Sequence, residues 1–416
     1  MNNKFNELLL GDIAELGDGA HSKVNRVSNG VLYLTSKNIK KGFLDLTSVE
    51  KISEYDFERL FSESSQSIRS IKADDILIGI IGSFGNSYLV KENDKFGASS
   101  SVGIIRPNPE LVNPKYLYYY INSNRFKKYV NTLKGGSVQG YTNLPTLRNI
   151  PIPIPPMIIQ ESIVELLQSI DEKINNSIEL NNNLTELSKN LFKQWFLLYE
   201  FPNKDGLAYK SFGGEMIESE LGHIPKGWYV SNIFENIIEV SQKNKDNNKL
   251  PVLSVISESR FTLSDEYFKD QVYSKDLSKY KIINKGEVGF NPSRANIGSI
   301  AMLKEFDSGL LSPMYKIFKA NDKTISKNYI QCYMMQDNFI PNISFCAFGT
   351  VRITFNLEYF KKFKIVIPPM SLLNKFDEII DNINTQIETY ESEIKSLTEL
   401  RDLFITELMS GKMVLQ

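Results

Sequence analysis

From position 376 onward, apolar residues fall at Phe376, Ile380, Ile383, Ile387, Tyr390, Ile394, Leu397, Phe404 and Leu408, with Arg401 as a polar intruder. These alternating four- and three-residue steps are a heptad spacing, and their persistence predicts one long helix with an apolar seam. The same seam runs through Ile163, Leu167, Ile170, Ile174, Leu184, Leu191, Trp195 and Leu198, with Ser177, Asn181 and Ser188 as polar seam positions. The two stretches are copies at a constant offset of 213, which carries Pro155-Pro156-Met157 onto Pro368-Pro369-Met370. Each opens on a proline pair, suited to a first turn whose N–H groups have no helical partner, and neither holds an internal Pro or Gly. Gly411 follows the second as a C′ residue. Either helix alone would leave a long apolar stripe in water. The two are therefore expected to pack on each other as an antiparallel coiled coil.

Ahead of each helix the period changes. Residues 31–35, 75–81 and 102–107 are rich in β-branched residues and bounded by turn formers, which predicts strands. Pro114 opens a predicted helix reaching Val130. The framework returns after the first helix: Tyr116, Tyr120 and Phe126 map to Tyr329, Tyr333 and Phe339, and Gly136-Ser137-Val138-Gln139 maps to Gly349-Thr350-Val351-Arg352. Residues 201–227 are rich in turn formers and read as a linker or short hairpin. The fold class is α+β, with similar domains over 1–155 and 228–367, helices over 156–200 and 368–416, and a pseudo-twofold internal repeat.

Composition narrows the class. With 42% hydrophobic and 23% charged residues the chain is ordinary for a globular protein, and it has no apolar run long enough to span a membrane. Met1 is followed by no cationic start and apolar run of a signal peptide, and Cys332 and Cys346 lack disulfide or zinc spacing, so a cytoplasmic location is expected. A net charge of −1 gives no global case for a polyanionic partner. Locally, residues 124–148 hold Arg125, Lys127, Lys128, Lys134 and Arg148 and no acid. Two similar domains on paired helices suit a ligand with two related sites, as duplex DNA has. Gln139 and Arg352 are the side-chain types that read adenine and guanine bidentately. Candidate DNA contacts are Ser83, Asn86, Ser99, Ser100, Lys134, Ser137, Gln139 and Tyr141 in the first domain, and Ser293, Arg294, Asn296, Thr350 and Arg352 in the second.

Two rival classes remain. Asn291-Pro292-Ser293-Arg294 is similar to the start of an amino-methyltransferase loop but lacks its second proline and aromatic, and no glycine motif follows a strand to hold S-adenosylmethionine. Gly79, Gly82 and Gly85 lead to no Gly-Lys-Ser/Thr, which removes a phosphate cradle. A purely structural coiled-coil adaptor would account for the helices, but not for two domains sharing a framework and differing in their loops.

Two Gly-[Ser/Thr]-x-[Gln/Arg] segments, each leading into an Ile-x-Ile-Pro-Pro-Met entry and a heptad helix, resemble the specificity subunit of type I restriction–modification enzymes. The stretch from Trp195-Phe196 to Gly227-Trp228 resembles that family's hinge. The resemblance implies two target-recognition domains, each reading half of a split double-stranded DNA site. It implies spacer helices that set the gap and bind two methyltransferase subunits, joined by translocase–nuclease subunits. The chain itself would be non-catalytic and hold no cofactor or metal, with S-adenosylmethionine and ATP/Mg on the partners. One departure is that the family's Glu-Gln after the prolines is Ile159-Gln160 in the first copy and Leu373-Asn374 in the second.

Overall fold

A computed structural model describes residues 5–63, 67–81, 85–132, 143–267, 273–346, 354–411 and 413. The chain forms two compact units, residues 1–178 with 392–416, and residues 179–391.

In the first unit, β1 (Asn6–Leu9) is followed by the single turn α1 (Leu10–Ile13), β2 (Ala14–Asp18), β3 (Arg26–Leu34), β4 (Glu50–Ile52) and α2 (Glu54–Phe61). Next come β5 (Ile76–Gly79), β6 (Ser87–Leu89), β7 (Phe96–Ala98) and β8 (Val102–Pro107). Strands β2-β8-β5-β6 form a four-stranded antiparallel sheet, and β4-β3-β7 a smaller one in which β3 and β7 run parallel. Every residue of β5 is buried, which is why its sequence is an unbroken apolar run rather than an alternating one.

Where one helix is expected over 114–130, the structure has two, α3 (Pro114–Asn122) and α4 (Asn124–Thr132). Ser123 makes the break: it ends α3 in an extended conformation and its Oγ accepts from the Phe126 N–H at 3.1 Å, a capping contact that competes with helix continuation. The short α5 (Leu144–Arg148) leads to β9 (Pro151–Ile154), which pairs antiparallel with β1, and then to α6 (Met157–Phe192).

The first half of α6 lies antiparallel to the C-terminal residues 392–409. Asp171 meets Arg401 at 2.8 Å, while Lys173 and Ser177 both reach Glu393 at 3.0 Å. Ile163, Val164 and Leu167 share one core with Ile405, Leu408 and Met409. The polar seam positions have their own partners. Arg401 and Tyr119 both bond to the Asp171 carboxylate, and burial pushes the Tyr119 hydroxyl well above its ordinary pKa, with Asp171 adding to this. Gly411 has φ +70° and donates its N–H to the Leu408 carbonyl, closing the helix as its sequence position implies.

The second unit begins with the end of α6, which runs into a π-helical turn, Lys193–Leu197, and then the hairpin β10 (Met216–Ser219)–β11 (Gly222–Pro225). Strands β12 (Tyr229–Asn232), β13 (Ile237–Val240), β14 (Leu253–Val255), β15 (Phe261–Leu263) and the turn α7 (Ser264–Tyr267) follow. After them come β16 (Lys281–Asn284), β17 (Val288–Phe290), β18 (Ile300–Met302), β19 (Ser308–Leu311) and β20 (Lys316–Ala320). Helices α8 (Lys327–Met334) and α9 (Phe339–Cys346), strand β21 (Lys364–Ile367) and the part of helix α10 (Met370–Met409) up to residue 391 complete the unit. Sheet β13-β20-β17-β18 has the order and antiparallel pairing of β2-β8-β5-β6, and β12–β21 matches β1–β9.

The repeat extends to single hydrogen bonds. Tyr116 donates its buried hydroxyl to the Pro153 carbonyl at 2.8 Å, and Tyr329 donates to Val366 at 3.0 Å, both at the offset of 213. Asp75 accepts from the Lys72 N–H and Glu287 from Asn284. One position differs usefully. Gln160, 1% exposed, accepts from the Asn113 N–H and donates to the Pro155 carbonyl, fastening the start of α6; the residue at the offset of 213, Leu373, is instead buried in the apolar core at the start of α10.

In this unit Leu184, Leu191, Phe192 and Trp195 pack with Phe376, Ile380, Ile383 and Ile387, again antiparallel. The centre is an aromatic cluster in which Phe376 faces Phe196 at 4.8 Å and Trp195 at 5.7 Å between centroids. Among the described residues, no helix is long and apolar enough to cross a membrane.

Candidate nucleic-acid interface

In the first unit, the turn between β7 and β8 is closed by hydroxyls. Ser99 and Ser101 share an Oγ–Oγ bond of 2.8 Å, and Ser101 Oγ accepts from the Ser36 N–H. Ser99 therefore shapes the turn, whereas the Ser100 hydroxyl has no partner among the described residues while its N–H donates to the Ala20 carbonyl. Asn86 is half-buried and donates Nδ2 to the Ile39 carbonyl at 3.3 Å. Ser83, Lys134, Ser137, Gln139 and Tyr141 lie outside the described residues, as do Thr350 and Arg352 of the second unit.

The basic run divides. Arg125 forms an ion pair with Glu7 at 2.7 Å, and Arg148 donates to the Leu16 carbonyl at 3.0 Å, so both are committed to the fold. Burial pulls the Lys127 ammonium below its ordinary pKa, and Lys41 acts in the same direction. Lys128 is exposed. Sequence counts the cations of such a run but does not show which of them have internal partners.

In the second unit, the loop after β17 brings three of the candidates together. Asn291 Oδ1 accepts from the Ser293 N–H at 3.0 Å, folding the loop into an Asx turn. The 3-10 turn Ala295–Ile297 follows and ends at Gly298, whose φ is +92°. A Cβ there would stand 2.2 Å from the Ser257 carbonyl, so only glycine fits. Ser293 and Arg294 are exposed, and the Arg294 guanidinium forms no ion pair with another described residue. With Asn291 they line a cavity of about 420 Å³ whose other walls include Tyr267, Tyr280 and Tyr315, and Arg294 is the one charged residue among its described lining. Asn296 is half-buried, and its carbonyl accepts from Ser344 Oγ at 2.9 Å. The Phe355 N–H donates to the Pro292 carbonyl at 2.8 Å, so the chain just beyond Arg352 is tied to this loop.

These tyrosines were not singled out by sequence because nothing in their spacing links them; the turn α7 and the loops just before β16 and β20 bring them to one cavity. The cavity offers aromatic faces, hydroxyl and amide groups and one cation. Such groups can stack on bases and bond to phosphates or base edges.

Residues 2–186 match the family described as type I restriction modification DNA specificity domain. The chain is 24% identical over 318 residues to the type I restriction enzyme MjaIX specificity subunit of Methanocaldococcus jannaschii, covering 72% of this chain and 69% of that protein. It is 22% identical over 409 residues to the HindI specificity subunit of Haemophilus influenzae, covering 83% and 88%. In fold it is similar to a type I restriction–modification S subunit from M. genitalium, with a TM-score of 0.54 at 15% identity over 98% of this chain and 97% of that one.

Proposed function

We propose that the chain is a specificity subunit of a type I restriction–modification enzyme, as its match to that DNA specificity domain over residues 2–186 and its similarity to such subunits support, and that it recognises a bipartite DNA target, with each unit reading one half. The observation that carries this reading is a framework built twice with different loops upon it. Both units have the same sheet order and the same tyrosine-to-carbonyl bond, yet β3, β4, α2 and β7 of the first give way to β14, β15, β16 and β19 in the second. Repeated frames with unlike loops are what two different half-sites require, since phosphate contacts position a reader and loop side chains specify bases.

Catalysis then belongs to other polypeptides in the cytoplasm: two methyltransferase subunits using S-adenosylmethionine, and translocase–nuclease subunits using ATP and magnesium. The chain must leave the target base free to be flipped into the methyltransferase. Mapping methylated motifs in cells with and without the chain tests the reading. A bipartite motif that disappears on deletion supports it, and methylation by the purified chain alone would overturn it.

In the same assay, Gln139→Ala should relax one half-site and leave the other intact, at a cost of roughly 1–3 kcal/mol in discrimination. Equal relaxation of both halves would contradict a unit-by-unit code. The paired helices are proposed to set the gap between half-sites. Removing one heptad from each takes away roughly 10 Å of helix and should change the gap by up to about three base pairs, with both half-sites retained. An unchanged gap rules out the helices as the ruler.

A further inference from the structure

Two side chains at the end of β2 are each held by one nitrogen and leave their other nitrogens unused. His21 Nε2 donates to the Asp18 carboxylate at 2.7 Å, while 64% of the His21 side chain is exposed and Nδ1 bonds to no described residue. Arg69 Nε donates to the Asp18 carbonyl at 3.3 Å, and its two Nη nitrogens have no partner among the described residues. Asp18 therefore orients both donors. Their surroundings are fixed. A Cβ on Gly19 would stand 2.2 Å from the Ala98 carbonyl oxygen, and the Ala20 carbonyl accepts from the Ser100 N–H at 3.2 Å. Next to Arg69, the Ser70 carbonyl is held by Arg106 Nη2 at 2.7 Å.

The place of this cluster in the fold separates reading from framework. The loop after β2 leads out to β3, β4 and α2, the part of the first unit that the second replaces, and Arg69 lies where the chain returns to β5. Strand register puts Ser241 and Asn244 of the second unit at the positions of Asp18 and His21, and Lys281 at that of Arg69. Asn244 is 1% exposed and the Lys281 ammonium donates to the Tyr315 carbonyl at 2.6 Å, so the common frame stands without the arrangement. The acids that bond to the loop already have partners: Asp18 has His21, Asp56 has Arg59 and the Asn25 N–H, and Glu50 has Arg26. Lys23, exposed in the same loop, and Arg69 have no acidic partner among the described residues, which favours an anionic ligand. We propose that this cluster is a base-reading site of the first unit. The Arg69 fork takes O6 and N7 of a guanine, the base whose major-groove edge offers that pair of acceptors, and His21, positioned by Asp18, adds Nδ1 at the same base step. Holding the donors beforehand lowers the cost of ordering them on binding. The proposal rests on the DNA-recognition reading above and assigns the guanine to one half-site only.

The test uses the full chain assembled with its methyltransferase subunits, and duplexes in which each base pair of the motif mapped in cells is changed in turn. Arg69→Ala should reduce the preference for one G·C pair in one half-site by roughly 10- to 100-fold and keep every other preference. Arg69→Lys should reduce it too, because an ammonium supplies charge without the fork; it also keeps the test open if the alanine variant melts below the native chain. His21→Ala should weaken the preference at the same pair or its neighbour severalfold. Asp18→Ala should match it, and the double variant should be no worse than either, since non-additive losses mark residues that act as one. Arg69→Ala weakening binding equally on motif and shuffled duplex, with Arg69→Lys restoring it, makes Arg69 a phosphate contact and overturns the base-reading site. An unchanged profile, or a mapped motif without a G·C pair, overturns it as well. Additive losses at Asp18 and His21 overturn the positioning role of Asp18. If Arg69→Ala instead reduces recovery of the methyltransferase while DNA selectivity per assembled complex stays native, the cluster binds protein and the proposal is wrong. A native complex that does not prefer the motif over a shuffled duplex overturns the DNA reading itself.

Discussion

Phe376→Ala should destabilise the second unit by roughly 3–5 kcal/mol, the range for deleting a fully enclosed aromatic ring. Phe376 is 0% exposed, and its ring meets those of Phe192, Trp195 and Phe196 with centroids 6.3, 5.7 and 4.8 Å away. Two of these neighbours are held from closing in on the space because they also pack elsewhere: Phe192 and Phe196 on Tyr329, and Phe196 on Trp228. The measurement is unusually clean. The chain has two tryptophans, Trp195 and Trp228, both buried in this unit, so intrinsic fluorescence during urea unfolding reports on it directly. Phe376→Leu, which keeps most of the volume, should cost much less. A loss under 1 kcal/mol for the alanine variant would show that the cluster does not hold the two helix segments together.

The second large effect lies in the other unit. Arg106 grips Asp75 with two bonds, Nε to Oδ1 at 2.8 Å and an Nη2 to Oδ2 contact at 2.7 Å, and it also donates to the Ser70 carbonyl. The Asp75 side chain is 2% exposed and that of Arg106 24%. Asp75 additionally accepts from the Lys72 N–H, so it fixes the turn that enters β5. Asp75→Ala strands a half-buried guanidinium and a backbone donor together, and should cost roughly 3–5 kcal/mol, because an uncompensated buried charge is worse than none. Replacing both partners, Asp75→Leu with Arg106→Met, should recover much of the loss. Thermal unfolding followed by far-ultraviolet circular dichroism checks this, and a double variant no better than the single one would contradict the charge-based account. Among the described residues the second unit has no such buried pair at this turn: Glu287 keeps the contact to the Asn284 N–H alone.

The long helices and the repeat were legible in the sequence because a heptad seam and a constant offset are periodic signals, which local exceptions do not erase. Ser177, Ser188 and Arg401 look like defects in that seam until their partners are known. Ser177 and Ser188 bond back to carbonyls one turn earlier, and Arg401 reaches Asp171. The break at Ser123 was hidden because Tyr116, Tyr120, Phe126 and Val130 keep helix-like spacing across it, and all four are buried. At the candidate interface, residue type suggested Ser99 and Arg125 as free to bind, whereas one closes a turn and the other pairs with Glu7.

The first unit counts the last residues of the chain among its own: Ile405, Leu408 and Met409 fill the core built by residues 10–167. A ribosome therefore cannot deliver a finished first unit until residues 405–409 have been made. During synthesis of the intervening residues the apolar face of the first half of α6 waits uncovered, a natural client for a chaperone, and truncation before Ile405 would unmake a core that residues 10–167 began.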